Sequence, residues 1–228
     1  MIRSACCMIA ALTLVEAAIG VSAACAEAKS QARASRKVSE GSGSWSADRA
    51  AAIAAFESND FAKAEKLAKK AFADTSHMKE NDPRVLQSSE DLGQIYLRQR
   101  KFDEGRPLFT HVLKLKERKY GKDSAELIQP LNDVVRVTCA SGACYDTIPY
   151  LKRLLAIHKR VDPKSRDIPI TLLLIGEAYE KRQAYPEAIE YFKQSALAEK
   201  QRIGNGPMVA TLARNIERVK HEMKICKK

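Results

Sequence analysis

From residue 48 to residue 224, apolar positions recur three and four apart in paired stretches. A short polar turn joins the members of a pair, as in Gln99-Arg100-Lys101 and Arg182-Gln183-Ala184. This spacing puts the apolar residues on one face of an α-helix, so the pattern predicts a succession of helix pairs. The pairs are copies of one another. Residues 91–121 realign on residues 174–204 at a constant offset of 83, which matches Leu92 to Ile175, Gly93 to Gly176, Tyr96 to Tyr179 and Phe102 to Tyr185. Further along, Gly105 matches Ala188, Phe109 matches Phe192 and Gly121 matches Gly204. A copy at half that offset lies between them, with Val134 and Val135 in the Leu-Gly places and Tyr145 in the place of Phe102. An earlier copy puts Phe61, Ala64, Ala68 and Ala71 in its second helix, and Met208 to Val219 repeats the first-helix pattern alone.

The alternation of small and large residues has a packing reason. A small residue such as Gly93, Gly105, Gly176 or Ala188 lets two helix axes approach, and a neighbouring aromatic fills the groove. No single pair buries both its faces, so stacked neighbours must supply the core. Asp82-Pro83 and Gly206-Pro207 read as helix starts. The repeats are expected over 48–80, 82–122, 123–163 and 165–205, followed by a capping helix over 207–224 and a tail over 225–228. Repeat one opens on an alanine-rich helix from Ala50 to Ala55. Repeat three departs furthest: it lacks the small residue after Val134, has Thr138 in the place of Tyr96, and carries one additional residue in its turn.

These features resemble the tetratricopeptide repeat family. The period, with long second helices closing in KERKYG and EKQRIG, is similar to the kinesin-light-chain type. The resemblance covers residues 48–224. It implies an all-α fold, a right-handed α-solenoid of antiparallel helix pairs with a C-terminal capping helix, which binds proteins or peptides along its concave face.

Residues 1–26 stand apart. Arg3 precedes a stretch from Ala5 to Val15 that is apolar except for Thr13, and Ala24-Cys25-Ala26 fits a signal-peptidase site with cleavage before Glu27. Glu16 interrupts the apolar character, which leaves an uncleaved anchor or a lipidated Cys25 as alternatives. The expectation is export to the periplasm. No later apolar run reaches the ~18–20 residues of a membrane-spanning helix. Residues 27–47 are small, polar and basic and read as a flexible linker, with Trp45 at its end expected to pack on the first helix.

Composition agrees with this organisation. The chain has 228 residues, 45% of them hydrophobic, with 10 Gly and 8 Pro, which excludes collagen-like, fully disordered and turn-dense all-β classes. Lys and Arg number 39 against 28 Asp and Glu, for a net charge of +11 that survives removal of Arg3 and Glu16 together. Nucleic acid is a poor partner for an exported chain whose basic residues are not interleaved with stacking aromatics. A protein or peptide partner is expected, with a bias toward acidic ones. The alternative is a basic adaptor that holds an anionic polymer or membrane surface electrostatically.

If the first helices line the concave face, their outward positions include Arg49 in repeat one, Glu90, Gln94 and Arg98 in repeat two, and Asn132 and Arg136 in repeat three. Repeat four adds Glu177 and Lys181, and the cap adds Arg214 and Arg218. Arginine presents a planar fork that binds a carboxylate through two hydrogen bonds. The row therefore reads as a groove for an acidic segment or, alternatively, as ordinary solvated helix charge. Cys139 and Cys144 flank the turn of repeat three. In an oxidising compartment they read as a disulfide contributing about 2 kcal/mol by loop closure, with a redox-active or metal-binding pair as alternatives. Cys226 is left over. His77, His111, His158 and His221 are scattered, and Gly41-Ser42-Gly43-Ser44 lacks the Lys-Ser/Thr of a phosphate loop. No catalytic constellation or cofactor motif emerges, so the reading is a non-enzymatic scaffold without cofactors or metals.

Overall fold

A computed structural model describes residues 44–225. The expected signal peptide with Cys25, linker residues 27–43 and Cys226 lie outside the described residues. Among those described there are no strands. The helices are α1 (44–57), α2 (Phe61–Asp74), α3 (Pro83–Arg98), α4 (Phe102–Tyr120), α5 (Ile128–Ala140), α6 (Ile148–Val161), α7 (Asp167–Lys181), α8 (Tyr185–Ile203) and α9 (Pro207–Ile225). Single 3-10 turns at Ala125–Leu127 and Cys144–Thr147 lead into α5 and α6. Helix α1 takes in residues 44–47, which composition had placed in the linker. Trp45 therefore belongs to α1 itself, and its Nε1 donates to Ser88 Oγ of α3 at 2.8 Å.

The four turns from odd to even helices are built alike. The amides of Asp60, Lys101, Ala143 and Ala184 donate to carbonyls five residues earlier, on Ala55, Tyr96, Thr138 and Tyr179, at 2.8 to 3.2 Å. This bond satisfies carbonyls that a helix end would otherwise leave bare. It requires a left-handed residue just before the donor, and Asn59, Arg100, Gly142 and Gln183 have φ of 62°, 62°, 90° and 62°.

Each repeat sets one residue of its first helix against one of its second. In repeat two a Cβ on Gly93 would stand 3.1 Å from the Phe109 ring, and in repeat four a Cβ on Gly176 would stand 2.5 Å from the Phe192 ring. Repeat three puts Val135 and Leu151 in these places, within one core cluster, and repeat one puts Ala52 and Ala68 there. A larger residue on one helix is answered by a smaller one on the other, as close packing demands. The missing small residue of repeat three is thus compensated across the pair.

Two expectations for repeat three fail. Tyr145 does not fill the place of Phe102: it is 48% exposed, whereas Phe102 packs against the core. The additional residue expected in that turn is not there: Gly142 and Ala143 hold the places of Arg100 and Lys101, so Cys144 stands where Phe102 does and opens a 3-10 turn, in which Thr147 is buried and its hydroxyl donates to the Cys144 carbonyl at 2.5 Å. Ile148 then carries the first buried apolar contact of α6.

Candidate functional site

The odd helices form one layer, and side-chain bonds about one repeat apart tie each to the next. Between α1 and α3, Arg49 Nε donates to Asp91 Oδ2 at 2.6 Å, with its guanidinium 5.8 Å from the Trp45 ring. Burial pushes the Asp91 carboxyl up, against the opposing pull of Arg49. Between α3 and α5, buried Asp133 accepts from Gln94 at 3.4 Å, from Gln129 at 3.2 Å and from Arg136 at 2.6 Å, and Arg136 also donates to Gln94 Oε1 at 3.0 Å. Between α7 and α9, Arg218 grips Glu180 with two bonds of 2.5 and 2.9 Å, which holds its guanidinium firmly protonated.

Among the described residues no side-chain hydrogen bond or ion pair crosses from α5 to α7. At this missing rung a cleft of about 360 Å³ opens. Val135 and Leu151 form its floor with Ala178, Leu174 stands at its side, and Glu177, Glu180, Lys181 and Arg218 line its polar edge. Shelter in the cleft and the charge of Glu180 push the Glu177 carboxyl up, although the residue as a whole is exposed. Leu174 and Ile170, one turn apart on α7, are each 36% exposed. Cys139 and Cys144 also line the cleft, with their Sγ atoms 2.50 Å apart.

The residues singled out from sequence therefore fall into different settings. Arg49, Gln94, Arg136 and Arg218 are engaged in the rungs. Arg98 lies over the Phe56 ring at 5.8 Å, and Glu90 pairs with Lys116 at 2.8 Å. Arg214 donates to Thr211 at 3.0 Å. Asn132, Glu177 and Lys181 are exposed, the last two beside the cleft. Sequence reasoning missed the carboxylates Asp91, Asp133 and Glu180 that hold the arginines, and it missed Leu174 and Ile170. The Arg49–Asp91 separation of 42 residues, one repeat length, was the available clue. No group of His, Cys, Asp and Glu among the described residues has the arrangement of a metal site, and no helix among them is long and apolar enough to cross a membrane.

Comparison with known proteins agrees with the geometry. Residues 85–126, spanning α3 and α4, match the tetratricopeptide repeat family. No curated protein matches the chain. Among solved structures, the chain is similar to a Podosopora anserina protein with nearly identical kinesin-light-chain TPR-like repeats, at 15% identity and a TM-score of 0.61, over 77% of this chain and 84% of that one. It is also similar to the apo form of RapI, at 13% identity and a TM-score of 0.58, over 79% of this chain and 64% of that one. Such identities speak to the fold alone. Residues 85–126 thus match a tetratricopeptide repeat, and the described residues share the fold of a solenoid of tetratricopeptide-like repeats.

Proposed function

We propose that the chain is a non-enzymatic scaffold, exported to the cell envelope, that binds a segment of a partner protein on the concave face lined by its odd helices. The observation that carries this reading is the cleft between α5 and α7, where the row of inter-helix rungs is interrupted and apolar surface is left open. An apolar side chain of the partner enters against Val135 and Ala178 and packs on Leu174. A carboxylate of the partner meets Lys181 and Arg214, both exposed. The arginines of the rungs contribute less, because their forks are already occupied by carboxylates of the same chain.

Capture from the envelope fraction tests the reading. A partner held by the wild-type chain is expected to be lost by a Leu174→Glu, Lys181→Glu variant that keeps its helical circular dichroism. Equal retention by that variant would place recognition elsewhere. Export is checked by sequencing the N-terminus of the protein isolated from cells, where a start at Glu27 is expected and retention of Met1 refutes it. In that compartment Cys139 and Cys144 are expected to resist alkylation until reduced.

A further inference from the structure

The three junctions between successive repeats contain the same groove, bounded by the ends of the even helices and the start of the next odd helix. At the junction of repeats two and three it is plugged. Arg153 of α6 pairs with Glu117 of α4 and its Nε donates to the Lys122 carbonyl at 2.8 Å, while Arg160 donates to the Asp123 carbonyl. At the junction of repeats one and two, a groove of about 480 Å³ has most of its charges paired within the chain: Arg118 with Glu80, Arg84 with Asp82 at 2.7 Å and Lys116 with Glu90 at 2.8 Å, while Lys119 lies over the Tyr120 ring.

The junction of repeats three and four differs at each of these places. Gln194 and Gln201 stand where Arg153 and Arg160 stand one repeat earlier, and Lys159 stands where Glu117 does. The crossing ion pair therefore has no counterpart, and a cavity of about 810 Å³ remains open. Its floor is apolar, built from Ile168, Pro169 and Leu172, and its wall includes Leu197, 57% exposed where the other repeats carry Lys114 and Ala156. Arg202 is held by buried Glu199 through two bonds of 3.0 Å, but the ammonium groups of Lys159 and Lys164 at the rim have no partner among the described residues.

From this contrast we infer that the groove between α6 and α8 binds a small anionic amphiphile, a carboxylate on a single acyl chain. The chain lies on Ile168, Leu172 and Leu197, and the carboxylate is held by Lys159 and Lys164. The volume lies in the range of small-ligand pockets, ~300–1,000 Å³, and the α8 wall from Gln194 to Gln201 runs for about 10 Å, which suits an extended chain. Two unpaired cations beside an apolar floor complement a ligand with one charged and one apolar end. This site is separate from the odd-helix cleft and stands or falls independently of it.

Methyl NMR of the full chain titrated with decanoate and with decanol, below aggregating concentrations, tests the inference. Decanoate is expected to shift the Ile168, Leu172 and Leu197 methyls and to bind about tenfold more tightly than decanol, the worth of one charge-assisted hydrogen bond. Lys159→Gln with Lys164→Gln should abolish that preference and leave decanol binding within about twofold. Copying the neighbouring plug, as Lys159→Glu, Gln194→Arg and Gln201→Arg, should abolish binding of both compounds; should that variant fold poorly, the lysine pair still decides. Equal affinity for the two compounds, shifts centred elsewhere, or tighter binding of a peptide alternating Leu and Asp would each overturn the proposal.

Discussion

Gly176 costs its helix about 1 kcal/mol in intrinsic propensity relative to alanine, and the Phe192 ring explains its presence. A methyl group at 2.5 Å from that ring cannot be accommodated without displacing the aromatic or the helix. Gly176→Ala is therefore expected to destabilise the protein by ~1–3 kcal/mol in denaturant titration. Gly93→Ala should cost distinctly less, because the ring there stands at 3.1 Å and need yield only slightly. The reverse applies in the turns. Arg100 and Gln183 hold left-handed backbones that disfavour any residue with a Cβ, so Arg100→Gly and Gln183→Gly should each stabilise by about 1 kcal/mol. The glycine–phenylalanine pairs were legible because both partners recur at an offset of 83. The left-handed turns were not, since Arg100 and Gln183 look like any polar turn residue and their strain shows only in the backbone.

Between elements, Glu65 of α2 links repeat one to repeat two. Its carboxylate accepts from Lys101, just before α4, and from Lys69 one turn on, each at 2.6 Å. Those two ammonium groups lower its pKa from the ordinary 4.5 to about 2. A depressed carboxyl contributes stability that is complete above its unfolded value and is lost as pH falls through the folded one. The stability gap between wild type and Glu65→Gln should accordingly be constant above about pH 5 and close between pH 4.5 and about pH 2. A gap that persisted at pH 2 would show that the carboxylate is not the source. The third repeat offers a test of pair compensation. Leu151→Phe alone should overpack against Val135, and Val135→Gly in the same chain should recover most of the loss, because the double variant restores the pair of repeats two and four. Helix pairing and its period were readable from residues 48–224 because buried faces leave a periodic trace. The rungs were not, because Asp91, Asp133 and Glu180 look in sequence like ordinary surface charge, and only the fold brings them to an arginine on the next odd helix. The cleft was invisible for a related reason: it is a gap between rungs, and a gap has no residue of its own.

For the whole molecule, the core is unevenly distributed. Repeat one is closed by Ala52, Ala55, Ala64, Ala68 and Ala71, small residues that each bury little surface, whereas repeats two to four contribute Phe109, Leu131, Leu151, Leu154 and Phe192. A solenoid's stability is close to a sum over repeats and their interfaces, so its weakest end frays first. Amide hydrogen exchange should be fastest in α1 and α2, and should slow toward α4 and α5, at a free energy well below that of global unfolding. The connections show a related asymmetry. The odd-to-even turns of repeats one, two and four are three residues long and internally bonded, and that of repeat three has the same three residues followed by a 3-10 turn, whereas the stretch from Thr75 to Asp82 that follows α2 is longer and includes exposed Lys79 and Glu80. Within residues 44–225, a protease such as trypsin should therefore cut after Lys79 before it reaches Arg100 or Arg182. The chain would part at a seam between its alanine-lined first repeat and a durable C-terminal fragment that carries both the cleft and the open groove.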